Sequence, residues 1–341
     1  MFLSGKSRCP EEGGSRFRPS PLTRNPHLQS IMTSLRFRAL PYRGTLSQSV
    51  EHIVECGDDV RLLGYLTRQR EGKSRGLFLL IHGWEGSAQS AYMLHTGGYL
   101  FGRGFDVFRL NLRDHGPSHH LNPGLFHGAR TEEVLSAASR INALSGGRPF
   151  FIMGFSLGGN FALRIAREGR PEAFPTLKRV FCVSPVLDPL KTTLAIDKGF
   201  PFYRKYFREK WQRSLKAKQH FFPALYSFDG AFSMKTLMEM TEFFVSRYSP
   251  FRDYRDYFSR YTLLGDALKR LSFPATILTS EDDPIIPVHD FLGLRNVDGN
   301  LTLSVQAFGG HCGFIDPFPF GCWYEPWVTR QALGIIGKRT G

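Results

Sequence analysis

Cysteine is scarce and scattered. The five present, Cys9, Cys56, Cys182, Cys312 and Cys322, are odd in number and include no C-x-x-C pair. That argues against a disulfide framework and against a zinc site, and it fits a reducing cytoplasm. Long apolar runs are missing as well. No stretch reaches the roughly 18 to 20 residues needed to span a bilayer, and Met1 to Pro21 is polar and rich in Gly, Pro and Arg, without the apolar centre of a signal peptide. The chain therefore reads as cytoplasmic, soluble or peripherally membrane-associated. There is no P-loop and no G-x-G-x-x-G after a strand, so no nucleotide cofactor is implied, and no recognisable nucleic-acid module. The net charge of +14 is then read as solvated surface, with contact to anionic lipid as the alternative and no nucleic-acid partner expected.

What is present is enough for a large folded core: 341 residues, 42% hydrophobic and 22% charged. Residues 1–43 carry eight basic side chains against Glu11 and Glu12, with prolines at 10, 19, 21, 26 and 41, and read as a basic, partly disordered arm. Beyond it, eight short apolar segments read as strands: Val50 to Cys56, Arg61 to Thr67, Leu77 to His82, Asp106 to Leu110, Pro149 to Phe155, Arg179 to Ser184, Ala275 to Ser280 and Leu301 to Phe308. The first two suit a hairpin through Gly57-Asp58-Asp59. The others lack strict alternation and are separated by helical patterns, as expected of a mostly parallel, doubly wound eight-stranded sheet covered on both faces. This predicts a core over 44–190 and 263–341, interrupted by a helical lid insertion over 191–262. Within the insertion Tyr203, Phe207, Trp211 and Leu215 recur every four residues among Arg and Lys, which predicts an amphipathic helix with a solvated basic face.

The chemistry lies at the ends of the strands. Pro149 to Phe155 runs straight into Gly154-Phe155-Ser156-Leu157-Gly158, and a helix-like segment follows; G-x-S-x-G needs that strand and helix to present its serine on a sharp turn, with Gly154 and Gly158 where larger side chains would crowd it. A serine hydroxyl also needs a base, and the base needs an acid to fix its tautomer. Asp283, in Glu281-Asp282-Asp283-Pro284 after an apolar strand, is the candidate acid, with Asp282 and Asp188 as alternatives. His311, in Gly309-Gly310-His311-Cys312-Gly313, is the candidate base, because it alone follows the acid in a glycine turn after a strand. The loop His82-Gly83-Trp84-Glu85-Gly86-Ser87 and the start of the helix after Ser156 can aim the backbone N–H groups of Trp84 and Leu157 at a developing oxyanion. His115, His119 and His120 resemble a metal cluster, but Gly116 and Pro117 break the helix that would align them, so they are expected to order a loop or line a pocket. No metal is expected.

The order Ser156, Asp283, His311, together with Asn25-Pro26-His27-Leu28-Gln29-Ser30-Ile31, the His82 to Ser87 turn and Gly309 to Phe314, resembles the α/β-hydrolase superfamily and, within it, the YheT-like branch of acyl-ester hydrolases. The resemblance covers about residues 24 to 335. It implies an α/β-hydrolase fold with Ser156 as nucleophile, Asp283 as acid and His311 as base. It also implies small-molecule esters of fatty or other hydrophobic acids as substrates, acylglycerol-like ones included, with acyl transfer to alcohols as the alternative. The chain departs from the branch at Arg113-Asp114-His115-Gly116, where a glycine- and cysteine-rich loop is usual, and residues 1 to 23 have no counterpart. A non-enzymatic rival is a basic lipid-surface binding protein built on such a scaffold.

Overall fold

The computed structural model describes residues 16–296, 299–316 and 321–337. Eight strands form one sheet: β1 (Val50–Glu55), β2 (Arg61–Thr67), β3 (Leu77–Ile81), β4 (Asp106–Leu110), β5 (Phe150–Phe155), β6 (Leu177–Val183), β7 (Ala275–Ser280) and β8 (Leu301–Gln306). Their spatial order is β1-β2-β4-β3-β5-β6-β7-β8. β2 is antiparallel to β1 and to β4, and every other pairing is parallel. The central apolar runs lack alternation because their strands face two cores, whereas the edge strands β1 and β8 are largely exposed or half-buried. In β3, Leu77, Leu79 and Ile81 pack on one side and Phe78 and Leu80 on the other; β5 divides in the same way, with Ile152 on the first side and Phe151 and Met153 on the second.

The helices are α1 (Pro26–Met32), α2 (Arg43–Leu46), α3 (Ala91–Gly102), α4 (Thr131–Ala143), α5 (Leu157–Glu168), α6 (Pro189–Lys198), α7 (Pro201–Phe221), α8 (Asp229–Phe232), α9 (Leu237–Tyr248), α10 (Tyr254–Ser259), α11 (His289–Leu292) and α12 (Tyr324–Gly337). Those from α6 to α10 lie between β6 and β7 and form a cap over the carboxyl ends of the strands. Ligands bind at that end of such sheets.

Two features depart from the sequence-based expectation. Residues 1–15, Cys9 among them, lie outside the described residues, but from Arg16 onward the expected loose arm is packed chain, with Phe17, Met32 and Ala39 buried and Gln29 wholly so. Two of the prolines start structure here instead of breaking it. Pro21 and Pro26 each occupy the first turn of a helix, after Ser20 and Asn25, whose side chains accept the first free backbone N–H groups; a fixed φ and a missing donor cost nothing at that position. The second departure is in α7, whose basic side chains are not all solvated. Lys218 is 1% exposed and holds Asp114 at 2.7 Å, while Lys210 donates to the Glu85 carbonyl at 2.9 Å.

Candidate functional site

Ser156 stands between β5 and α5 with φ 53° and ψ −117°, a conformation that non-glycine residues hold only when their surroundings enforce it. The enforcing contacts are visible. A Cβ on Gly154 would overlap the Gly158 carbonyl, and one on Gly158 would overlap the carbonyls of Ile81 and His82, so only glycine permits α5 to pack this close to β3 and β5. Gly83 backs directly onto the serine, since a Cβ there would lie 3.1 Å from Ser156 Cβ. This brings the turn that begins the Trp84 loop alongside Ser156 from one side, while Leu157, at the first position of α5, adjoins it from the other. First-turn N–H groups have no partner within their helix.

Asp283 and His311 emerge from the ends of β7 and β8. His311 Nδ1 lies 2.9 Å from Asp283 Oδ2, and the Asp283 side chain is fully buried. Its other oxygen accepts the N–H groups of Ile285 and Ile286 at 2.8 and 2.9 Å, so both carboxylate oxygens are fixed. Burial opposes charge on the imidazole, but the Asp283 carboxylate and the neighbouring Cys312 outweigh it and raise the His311 pKa well above 6.5. The alternatives weighed against Asp283 have other tasks. Asp282 accepts the Gly310 N–H at 2.9 Å and steadies the histidine turn, while Asp188 caps α6. His289 is exposed.

Two cavities meet at Ser156, Trp84, Phe207 and Ile285. The narrower, about 90 Å³, is walled by Leu157, Val186, Ile196, Phe244 and Phe258. The wider, about 510 Å³, also reaches His311 and is bordered by Ser34, Ser87, Gln89, Tyr206, Lys210 and Arg36, with no carboxylate lining it among the described residues.

The loop histidines hold backbone. The N–H of Leu112 approaches His82 Nε2 at 3.1 Å and His82 Nδ1 lies 2.7 Å from the Gly83 carbonyl, which assigns the proton to Nδ1. His115 repeats the pattern, accepting the Glu85 N–H at 3.1 Å and donating to the Arg113 carbonyl at 2.7 Å. Burial lowers both, His82 to about 4 and His115 well below 6.5, so each stays neutral and keeps one donor and one acceptor. His119 lies 2.8 Å from Ser214 of α7 and His120 packs on Phe221. These contacts order the loops under the cap. Among the described residues His95, Cys322 and Glu325 also cluster, but His95 and Thr96 contact Glu325 and Arg38 donates to Cys322, which leaves no set of free ligands for a cation.

Sequence reasoning missed the residues that hold the histidine turn. Ser30 Oγ accepts the His311 N–H at 2.8 Å. The Gln29 amide donates to the carbonyls of Thr23 and Ile315 at 2.8 and 3.1 Å and accepts the Ile315 N–H at 2.8 Å. His27 reaches the Tyr203 hydroxyl of the cap at 3.0 Å. The signal was present in Asn25 to Ile31, but one sequence does not say what a distinctive entry segment touches. The reach of the cap was missed too: Trp84 lies stacked on Phe207 at 5.5 Å and edge-on to Trp211 at 5.2 Å.

With this geometry in place, the likeness to known proteins is specific. Residues 78–320 match the alpha/beta hydrolase family. The chain belongs to that family. It is 24% identical over 263 residues to "Phospholipase ABHD3" of Mus musculus, a match covering 76% of this chain but only 64% of the mouse protein. It is 23% identical over 295 residues to "Putative esterase YheT" of Escherichia coli (strain K12), covering 85% of this chain and 84% of that one. "Putative esterase slr0264" of Synechocystis sp. is 22% identical over 298 residues, with 79% of each chain covered. These relatives support the YheT-like branch of the alpha/beta hydrolases. Among solved structures, the Pyrococcus furiosus esterase Pf2001 superposes with a TM-score of 0.54 at 18% identity, covering 87% of this chain and 93% of that one. A bacterial membrane phospholipase A gives 0.57 at 17% identity, over 91% and 92%. At such identities the structures establish the fold alone. Among the described residues no helix is long and apolar enough to cross a membrane.

Proposed function

We propose that this alpha/beta hydrolase cleaves carboxylic esters of hydrophobic acids through an acyl-Ser156 intermediate. The observation that carries the reading is the convergence on one cavity of a serine held at positive φ and a histidine paired with a buried aspartate. In the proposed cycle Ser156 Oγ attacks the ester carbonyl carbon while its proton passes to His311 Nε2. The N–H groups of Trp84 and Leu157 stabilise the oxyanion, and the ester C–O bond then breaks as the alcohol takes the proton from His311. Water, deprotonated by His311, attacks the acyl-serine, releases the acid and restores the serine hydroxyl. The narrow apolar cavity suits the acyl chain. The wider one suits the alcohol, and Lys210 and Arg36 on its wall favour an alcohol that bears a phosphate, in keeping with the relative named as a phospholipase.

The test is a series of p-nitrophenyl esters of increasing acyl length. Each added CH2 that enters the apolar cavity should raise kcat/KM by about fourfold, the equivalent of about 0.8 kcal/mol, until the cavity is full. A flat series would remove the acyl assignment, and turnover unchanged in Ser156→Ala would remove the mechanism.

Two further outcomes follow from the histidine turn. Only neutral imidazole can accept the serine proton, and the raised His311 pKa means that it holds its own proton to higher pH. Thus kcat/KM should rise with pH through an apparent value above 6.5, not below it, as a pH-rate profile would show. Ser30→Ala removes the acceptor of the His311 N–H and should lower kcat by about tenfold with KM little changed, through misplacement of the base. Ser30→Thr, which keeps the hydroxyl, should recover most of that loss.

A further inference from the structure

Arg109, on β4, is 1% exposed, yet no carboxylate accompanies it. Its Nη1 donates to the Ala88 carbonyl at 2.8 Å, its Nη2 donates to Ser49 Oγ at 2.9 Å, and the guanidinium lies 5.6 Å from the Tyr65 ring centre. Nε is buried without a partner. Two other deeply buried cations are paired, Arg113 with Glu133 at 2.6 Å and Lys218 with Asp114 at 2.7 Å, whereas Arg164 is buried on hydroxyl and carbonyl partners as Arg109 is; what sets Arg109 apart is the cavity beside it. A charge taken out of water without a counter-ion is costly, and here burial draws the guanidinium down to about 10 with only Tyr65 opposing it.

Arg109 borders a cavity of about 530 Å³ between α2, the edge of β2 and the start of α3. Arg43 stands on its wall, Ser47, Ser49 and Gln89 supply polar groups, and among the described residues no Asp or Glu lines it. Glu51 acts on the Tyr65 hydroxyl and stands one strand further out, with Tyr65 between it and Arg109. The cavity is distinct from the two that meet at Ser156, although Gln89 borders both it and the wider of those.

We propose that this cavity is a second, non-catalytic binding site, which takes a phosphate dianion, free or carried on a small molecule, between Arg109 and Arg43. Two guanidinium groups and no acid match a dianion better than a single carboxylate; Arg43 offers its planar fork to the phosphate oxygens, and Arg109 the N–H donors that its bonds to Ala88 and Ser49 leave unused. The phosphate would supply the counter-charge that Arg109 lacks.

Titration calorimetry of the full chain at fixed ionic strength tests the site, with inorganic phosphate and glycerol 3-phosphate as separate probes. Saturable binding with one phosphate per chain is expected. Equal affinity for the two probes identifies free phosphate as the ligand, and tighter binding of glycerol 3-phosphate identifies a phosphomonoester; either supports the site. Arg43→Ala should weaken binding by about tenfold or more, and Arg109→Leu should abolish it. Arg252→Ala, at a surface arginine whose side chain is 83% exposed, should bind as the wild type does. No saturable binding up to about 10 mM would overturn the proposal, as would wild-type affinity in Arg43→Ala, which would assign the phosphate to the basic surface. Should Arg109→Leu fail to fold, the exposed Arg43 decides through Arg43→Ala and Arg43→Glu.

Discussion

Ser156→Ala is expected to abolish covalent labelling by a fluorophosphonate and to lower kcat by on the order of 10⁵-fold or more, the scale seen when the nucleophile of a serine hydrolase is removed. Intact-mass analysis gives the first result and steady-state kinetics the second. The backbone supplies an internal control. Alanine inherits the strained φ of 53° and should leave stability nearly unchanged, whereas Ser156→Gly removes the Cβ that makes this conformation costly and should be more stable than Ser156→Ala by about 1 kcal/mol. Labelling that survived in folded Ser156→Ala would place the nucleophile elsewhere. A glycine variant no more stable than the alanine one would mean that the turn stores no strain.

The largest expected effect on stability lies outside the reaction centre. Lys218 joins Asp114 at 2.7 Å and also donates to the carbonyls of Asn122 and Gly124, the latter at 3.1 Å. Burial raises the Asp114 pKa and lowers that of Lys218, the ion pair working against it in both. The pair as a whole therefore adds little net stability, but breaking it is expensive because one charge is left buried alone. Lys218→Met should cost about 3 to 5 kcal/mol, read as a lowered midpoint in urea, and adding Asp114→Asn should return part of the loss. A single variant within about 0.5 kcal/mol of wild type would show that water already reaches the pair. Ser214 of the same helix donates to the Asp114 carbonyl, so α7 stays tied to the loop after β4 when this pair is lost.

The sheet was legible because its signals are local. Short apolar runs bounded by turn residues define strands without any knowledge of their partners, and the catalytic candidates could be ranked because each had to follow a strand. What could not be read depends on contacts across the chain. Gln29 and Ile315 are 286 positions apart, and no periodicity links them. The prolines before residue 43 misled because proline breaks a helix in its interior and starts one at its first position, and the two cases differ only in whether a side chain such as Asn25 caps the turn. Lys218 left a trace that could have been used. It falls seven residues after Trp211 and so lies on the apolar stripe of α7, where a lysine is either mispatterned or paired. The pairing is visible only once β4 delivers Asp114 to the same place.

The aromatic contact of Trp84 with Phe207 and Trp211 has a consequence for the timing of the reaction. The residue whose N–H is proposed to hold the oxyanion has its indole packed on Phe207 and Trp211 of the cap, so any lifting of α7 would disturb that loop. A lifted cap would give an enzyme with an accessible serine but a displaced oxyanion donor. Ester that met it in that state would be bound without being cut, and the acyl-serine could form only after the cap had settled and restricted the entry of bulk water. Shelter and reactivity would then switch on together, through a single indole ring.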